Sequence, residues 1–289
     1  MAKLYTILIG KNIYFDPMAR QLYKTLSPKN YSALSYLKNV WQSRILIFTF
    51  AKRDLQIQYA QTYLGVLWAI IQPLTGLLIF SFFFQRLMPL QLGVPYPVFV
   101  FTGMMGWFYF TQLVGQAGTS LMNNQNLIKK IHFPRLVLPL SKMIVGLVEF
   151  CISLSLLLIL MFVTGCPFSL KILLLPLVVI ANVVTGLSIG IWLCALTIRF
   201  RDFHHLIPYL VGFGIWLTPV FYPTTIIPAQ LNWVYYLHPV ANVISLYRWI
   251  FIGWPVDLGQ VAVSFSISLV LFTTGLLFFI RNEKHIADY

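Results

Sequence analysis

Acidic residues are scarce in this chain, which holds only seven Asp and Glu in 289 residues. They stand at Asp16, Asp54, Glu149, Asp202, Asp257, Glu283 and Asp288. No two form a carboxylate pair suited to acid–base work, and no Asp-x-Asp run occurs, which argues against a membrane glycosyl- or acyltransferase. Of the five histidines only His204 and His205 adjoin, and adjacent helical residues do not face one site. Cysteine is as sparse: Cys151, Cys166 and Cys194 lie in or beside apolar runs without a Cys-x-x-Cys pair. Neither a disulfide framework nor a zinc site is indicated. The run Gly-x-x-x-x-Gly-Lys-Ser/Thr is missing, so this chain does not bind ATP in the P-loop manner. Charge of both signs together reaches 9%, against about 25% in a soluble domain.

What fills the chain instead is apolar, at 59% of residues. A spanning helix needs about 20 mostly apolar residues. Six runs meet or approach that length, at about 64–87, 97–121, 136–164, 170–198, 206–222 and 258–280. The first 30 residues carry Lys3, Lys11, Arg20, Lys24 and Lys29 with no long apolar core between them, so no cleavable signal peptide is expected. The net charge is +13. Long apolar runs separate the basic residues, so topology and anionic headgroups explain them better than nucleic acid does. Nine Lys and Arg precede the first run, three fall between runs two and three with Lys142 at the edge of run three, two between four and five, and two after run six. Only Arg86, Lys171 and Arg248 fall on the other side. The positive-inside rule then places both termini in the cytosol. The expected fold class is an all-α integral membrane protein with six transmembrane helices per subunit.

Two segments depart from simple spans. Before the first run, Tyr31, Leu34, Leu37 and Trp41 recur at helical spacing, and apolar residues then mix with Lys52, Arg53 and Asp54. That pattern predicts an amphipathic helix along the cytosolic interface. Between runs five and six, a Trp- and Tyr-rich stretch is broken by Pro228, Pro239 and Pro255. It suits short re-entrant helices dipping into the outer leaflet. Two domains are expected: a cytosolic segment over 1–44 and a transmembrane domain over 45–289.

The strongest pattern read from the residues alone is a stripe on span one. Gln61, Gly65, Trp68, Gln72, Thr75, Ile79, Phe82 and Arg86 are spaced by three or four. At 100° per residue they fall within about 60° of one line. A polar and aromatic face is poorly matched to lipid and must meet protein or water. It reads as a channel wall, with helix packing through Gly65 and Thr75 as the alternative. Span five carries a similar line through His205, Tyr209, Gly212, Trp216 and Pro219, with Phe213 beside it. Glu149 is the sole carboxylate deep in a span, with Gln112 and Gln116 as candidate partners and either a functional or a structural role.

Several ordered motifs resemble the permeases of ABC exporters of the O-antigen and teichoic-acid type. Arg53-Asp54-Leu55, Gln58-Tyr59, Leu64-Gly65-Val66-Leu67-Trp68 and Gln72-Pro73-Leu74 are similar to the start of their first span. Asn126 through Arg135, then Leu138-Pro139-Leu140, resembles their second-to-third connection. Phe200-Arg201-Asp202-Phe203 and Thr218 through Pro223 resemble their fifth span, and Glu283, Ala287 and Asp288 their ending. His238-Pro239 departs from the Asn-Pro more usual there. The resemblance runs from about residue 45 onward. It implies a homodimer in the bacterial cytoplasmic membrane with two cytosolic ATPase subunits, which hold the ATP and Mg. No cofactor is expected in this chain. The cargo implied is a polyprenyl-diphosphate-linked glycan moved outward, the alternatives being a drug or another lipid, or an ion-coupled carrier. Gln61, Trp68, Gln72, Thr75, Phe82, Tyr209, Phe213 and Trp216 would line the path. Lys52, Arg53, Arg135, Arg199 and Arg201 would meet the diphosphate. Asn124, Asn126, Lys129, Lys130 and His132, in a short polar helix over 123–134, would couple to the ATPase.

Overall fold

The computed structural model describes residues 32–60, 63, 65–87, 92–228, 230 and 232–283. Gln61 and the tail beyond Glu283 therefore lie outside the described residues, as do residues 1–31. Within those described, every regular element is helical. Two helices come first, α1 (Ala33–Gln42) and α2 (Arg44–Tyr59). Ser32 starts α1 by accepting the Ser35 N–H at 3.3 Å. Tyr36 and Val40 of α1 turn inward while Leu34 and Trp41 are exposed, the two-faced pattern expected of an interfacial helix.

A 3₁₀ turn, Gly65–Leu67, leads into α3 (Trp68–Leu87), and α4 (Tyr96–Thr119) follows. A second 3₁₀ turn, Met122–Asn124, opens α5 (Gln125–Lys130). Then come α6 (Val137–Val163), α7 (Leu175–Arg199), α8 (Asp202–Leu217), α9 (Asn232–Tyr236), α10 (Pro239–Ile252) and α11 (Leu258–Asn282). Four stretches are long and apolar enough to cross a membrane: α4, α6, α7 with its leading turn from Leu170, and α11. The fifth expected run does not coincide with its helix. The helix begins at Asp202 and stops at Leu217 rather than Tyr222. Thr218 is extended at ψ 136° because it precedes Pro219, and a residue before proline is pushed out of the helical region.

α4 is the hub. It is the least apolar of the four long helices and by far the most buried, with 83% of its central window inside the protein. Its neighbours approach through glycines. A Cβ on Gly106 would lie 2.7 Å from the Tyr247 ring, one on Gly146 2.9 Å from Tyr109, and one on Gly186 2.8 Å from Leu113. Small residues at crossings let backbones close up where no hydrophobic force drives helices together in lipid. Polar groups add to this: Asn182 donates to Gly106 O at 3.0 Å and to Tyr247 Oη at 3.3 Å, and Thr197 donates to Gly118 O at 2.9 Å. Such interhelical bonds contribute on the order of 0.6 kcal/mol each.

The proline-broken stretch resolves into a short turn (Thr224–Ile226), α9 and α10. Pro239 occupies the first turn of α10, and Gly253 at φ 69° ends it. His238 accepts the Ala241 N–H on Nδ1 at 3.3 Å. An Asn before Pro239 would cap the helix in the same way, so the unusual histidine preserves the local geometry.

Candidate functional site

The two expected stripes are open in the folded subunit. On α3, Pro73 and Leu77 are buried while Trp68, Gln72, Thr75, Ile79 and Phe82 are exposed. A Cβ on Gly76 would come within 2.6 Å of Met104, so the opposite face of α3 is seated on α4. On α8, Ile207 is buried and Gly214 lies against Trp107, where a Cβ would sit 2.8 Å away. His205, Tyr209, Gly212, Phe213 and Trp216 remain exposed. An aromatic bridge joins the two helices. Phe80 of α3 meets Trp216 edge-on at 6.2 Å and stacks on Phe221 at 3.6 Å. The stripes thus border one another on the same flank of α4.

The basic residues assigned to a headgroup stand in different places. Arg53 donates to Asp54 at 2.7 Å and to Asn124 Oδ1 at 2.8 Å. Lys142 of α6 reaches the other Asp54 oxygen at 2.7 Å. Arg135 donates its backbone N–H to Glu283 Oε1 at 2.9 Å and a guanidinium N–H to Glu283 O at 2.7 Å. Arg199 and Arg201 instead line a small hollow of about 130 Å³ with Gln125 and Lys129 of α5. Lys52 is exposed on α2. The fold therefore places one group of headgroup candidates beside the coupling candidate Asn124, and another beside Lys129. In α5 itself, Asn126, Lys129 and Lys130 are exposed, and His132 is exposed just beyond the helix end.

These contacts also gather charged segments from across the sequence onto one face: residues 52–54, 122–135, 199–201 and 281–283. Of the basic residues assigned to the opposite side, Lys171 lies over the Trp249 ring at 4.9 Å, and Arg248 is buried.

Glu149 meets residues that its sequence neighbourhood did not suggest. Gln58 donates to its Oε1, and Tyr59 Oη lies 3.5 Å from the same atom. Both partners come from the end of α2, not from Gln112 and Gln116. Those two glutamines share with Glu149 a cavity of about 410 Å³ between α3, α4 and α6, which Gln72 also lines. Glu283, on the face that gathers the charged segments, is held near Tyr36, Leu136 and Arg135. Burial pushes its carboxyl above the usual range, and hydrogen bonds from Tyr36 and the Arg135 N–H oppose that rise. Burial likewise raises the Tyr36 phenol, and the Glu283 charge adds to the effect.

Arg248 carries a structural role that sequence reasoning missed. It is 1% exposed, donates to Val220 O at 2.6 Å, and stacks its guanidinium 3.8 Å over Phe99. Gly103 leaves the room, since a Cβ there would lie 2.9 Å from both Arg248 Nη2 and Val220 O. One arginine in a Trp-rich amphipathic stretch looks like an interfacial anchor, and nothing local marks it as buried.

The sequence profile described as ABC-2 type transporter matches residues 45–252. The chain belongs to that family. It is a multi-pass membrane protein of the ABC-2 transporter class. An O-antigen export system permease protein RfbA of Klebsiella pneumoniae is 27% identical over 244 residues, covering 84% of this chain and 94% of the relative. A protein of the same name from Myxococcus xanthus is 28% identical over 218 residues, 74% of this chain and 83% of its own. A polysialic acid transport protein KpsM of Escherichia coli is 28% identical over 207 residues, 68% and 77% respectively. Within the family frame, the matched stretch holds both stripes, α5 and the Asp54 cluster.

Proposed function

We propose that this chain is the permease subunit of an exporter that moves a polyprenyl-diphosphate-linked polysaccharide from the cytosol outward. Two copies form the path, with six spans in each and both termini cytosolic, and two separate ATPase subunits drive it. The names of the relatives supply the cargo class. The observation that carries the reading is the pair of open stripes on α3 and α8, joined through Phe80 and Trp216. A hydrated glycan cannot cross hydrocarbon, because each unpaired hydroxyl costs on the order of 2–7 kcal/mol there. Sugar rings present CH faces to aromatics and hydroxyls to amides. Trp68, Gln72, Tyr209 and Trp216 offer both and bind no one sugar sequence tightly, so a polymer can slide.

The test compares Trp68→Ala with Leu74→Ala. Leu74 is also exposed on α3, but it points about 120° away from Trp68 at 100° per residue. Export by Trp68→Ala is expected to fall roughly 2- to 10-fold, the effect of about 0.5–1.5 kcal/mol for one aromatic contact. Export by Leu74→Ala should stay near normal. The readout is lipid-linked polymer accumulated inside cells at equal permease abundance. Equal export by both variants would reject the conduit.

A further inference from the structure

The cavity beside Glu149 adjoins the α3 stripe, and Gln72 borders both. It sits between α3, α4 and α6, and its polar lining includes Gln72, Gln112, Gln116, Glu149 and Ser153. Phe108, Tyr109 and Phe150 supply an aromatic floor. Gln116 and Thr119 also line a second hollow of about 290 Å³, whose wall includes Asp54, Gln58, Asn123 and Lys142. The two spaces therefore form one polar slot rising from the cytosolic face, with the end of α2 bonded across it to Glu149. Gln112 sits about 10 Å above Thr119 along α4, at 1.5 Å per residue. Polar groups at that depth are costly unless they serve a ligand or one another. Yet Gln112 Nε2 is buried without a hydrogen-bond partner.

We propose that this slot binds a single sugar unit of a lipid headgroup, entering from the cytosolic leaflet. The inference deepens the export reading and rests on it. Amides both donate and accept, as hydroxyls do. Among the described residues, the upper cavity is lined by a carboxylate and by no Lys or Arg, so it repels phosphate and leaves any phosphate at the mouth. An ammonium headgroup would use Glu149 alone and leave the amide donors idle. The aromatic floor suits the CH face of a sugar ring. A volume near 410 Å³ falls in the range of about 300–1,000 Å³ typical of small-ligand sites, enough for one ring and its neighbours but not for a polymer.

The test uses the permease with its ATPase partner in nanodiscs of phosphatidylethanolamine and phosphatidylglycerol. The probe is a decyl glucoside carrying a photoreactive diazirine on the sugar, and labelled peptides are mapped. Label is expected on residues 105–119 and 149–153. It should fall about fivefold in Gln116→Leu, the effect of one lost hydrogen bond, and be largely kept in Gln116→Asn. Gln112→Leu should lose label to the same extent with no loss of thermal stability, because the wild-type amide is unsatisfied; it serves as the second variant should Gln116→Leu fail to fold. Unlabelled decyl glucoside should compete, and decyl phosphocholine and decylammonium should not. Competition by decylammonium, or undiminished labelling in both leucine variants, overturns the sugar site. Label confined to α3 and α8 overturns it while leaving the conduit intact. Label at neither place removes the glycolipid reading as well.

Discussion

Reversing Lys129 and Lys130 together to Glu is expected to lower export more than tenfold while the permease remains inserted in the membrane. Both side chains are exposed in the last turn of α5, on the face that also carries Asn126. A helix this short transmits force only if its ends are fixed. One end is fixed: Arg53 of α2 donates to Asn124, which in turn donates to Ser120 O at 2.8 Å. On the proposed reading the ATPase surface that meets α5 is acidic, so opposing two reversed charges to it would cost several kcal/mol, and each 1.4 kcal/mol is a factor of ten in affinity. Reversal also removes favourable charges from the helix C-terminus, worth about 0.3–1 kcal/mol each. Lys129→Gln with Lys130→Gln removes them without adding repulsion, and export should then fall only in part. Co-purification with the ATPase and accumulation of intracellular lipid-linked polymer are the measurements. Normal export by the Glu variant, with the complex assembled, would show that α5 is not the coupling element.

The second large effect concerns stability. Arg248→Ala should destabilise the subunit by about 2–4 kcal/mol, combining a lost charge-assisted hydrogen bond with a large-to-small core change. Val220 O would lose its donor, and the Phe99 ring its cation. Gly103→Val should be at least as damaging, because its Cβ would already lie 2.9 Å from Val220 O, a backbone atom that cannot swing aside. Overpacking of this kind costs roughly 1–3 kcal/mol or more. Thermal melting of purified subunits gives the ordering. An unchanged melting temperature for both variants would mean that the Arg248 contact carries no stability.

How far the sequence discloses this molecule depends on the kind of signal. Long apolar runs became α4, α6, α7 and α11 within a residue or a few, because hydropathy over 20 residues reports what lipid demands. The extent of α8 was misjudged because Val220 and Phe221 are apolar for packing against α4 and α10, not for continuing a helix; Pro219 was the overriding signal. Spacing alone gathered Trp68, Gln72, Thr75, Ile79 and Phe82 onto one exposed face of α3, since a helix presents every third or fourth residue on one face, whereas Pro219, placed on the span-five line, is buried beyond the end of α8. The partners of Glu149 were not readable. Gln58 and Glu149 are 91 residues apart, and nothing in local pattern shows that the end of α2 folds under α6. Nor could the sequence divide the basic residues into those already engaged, such as Arg53 and Arg135, and those lining an open hollow, such as Arg199 and Arg201. That division is set by where Asp54 and Glu283 land in space.

The make-up of α4 bears on how the chain reaches its final state in the bilayer. This helix is surrounded by protein, and its own residues are the least apolar of the long spans. Lipid alone holds it weakly, and two of the interhelical bonds it accepts come from residues of α7: Asn182 on the Gly106 carbonyl and Thr197 on that of Gly118. α4 emerges from the ribosome well before α7. The insertion machinery must therefore keep this helix until its later neighbours are made, so integration of the subunit is a collective event and not a succession of independent spans.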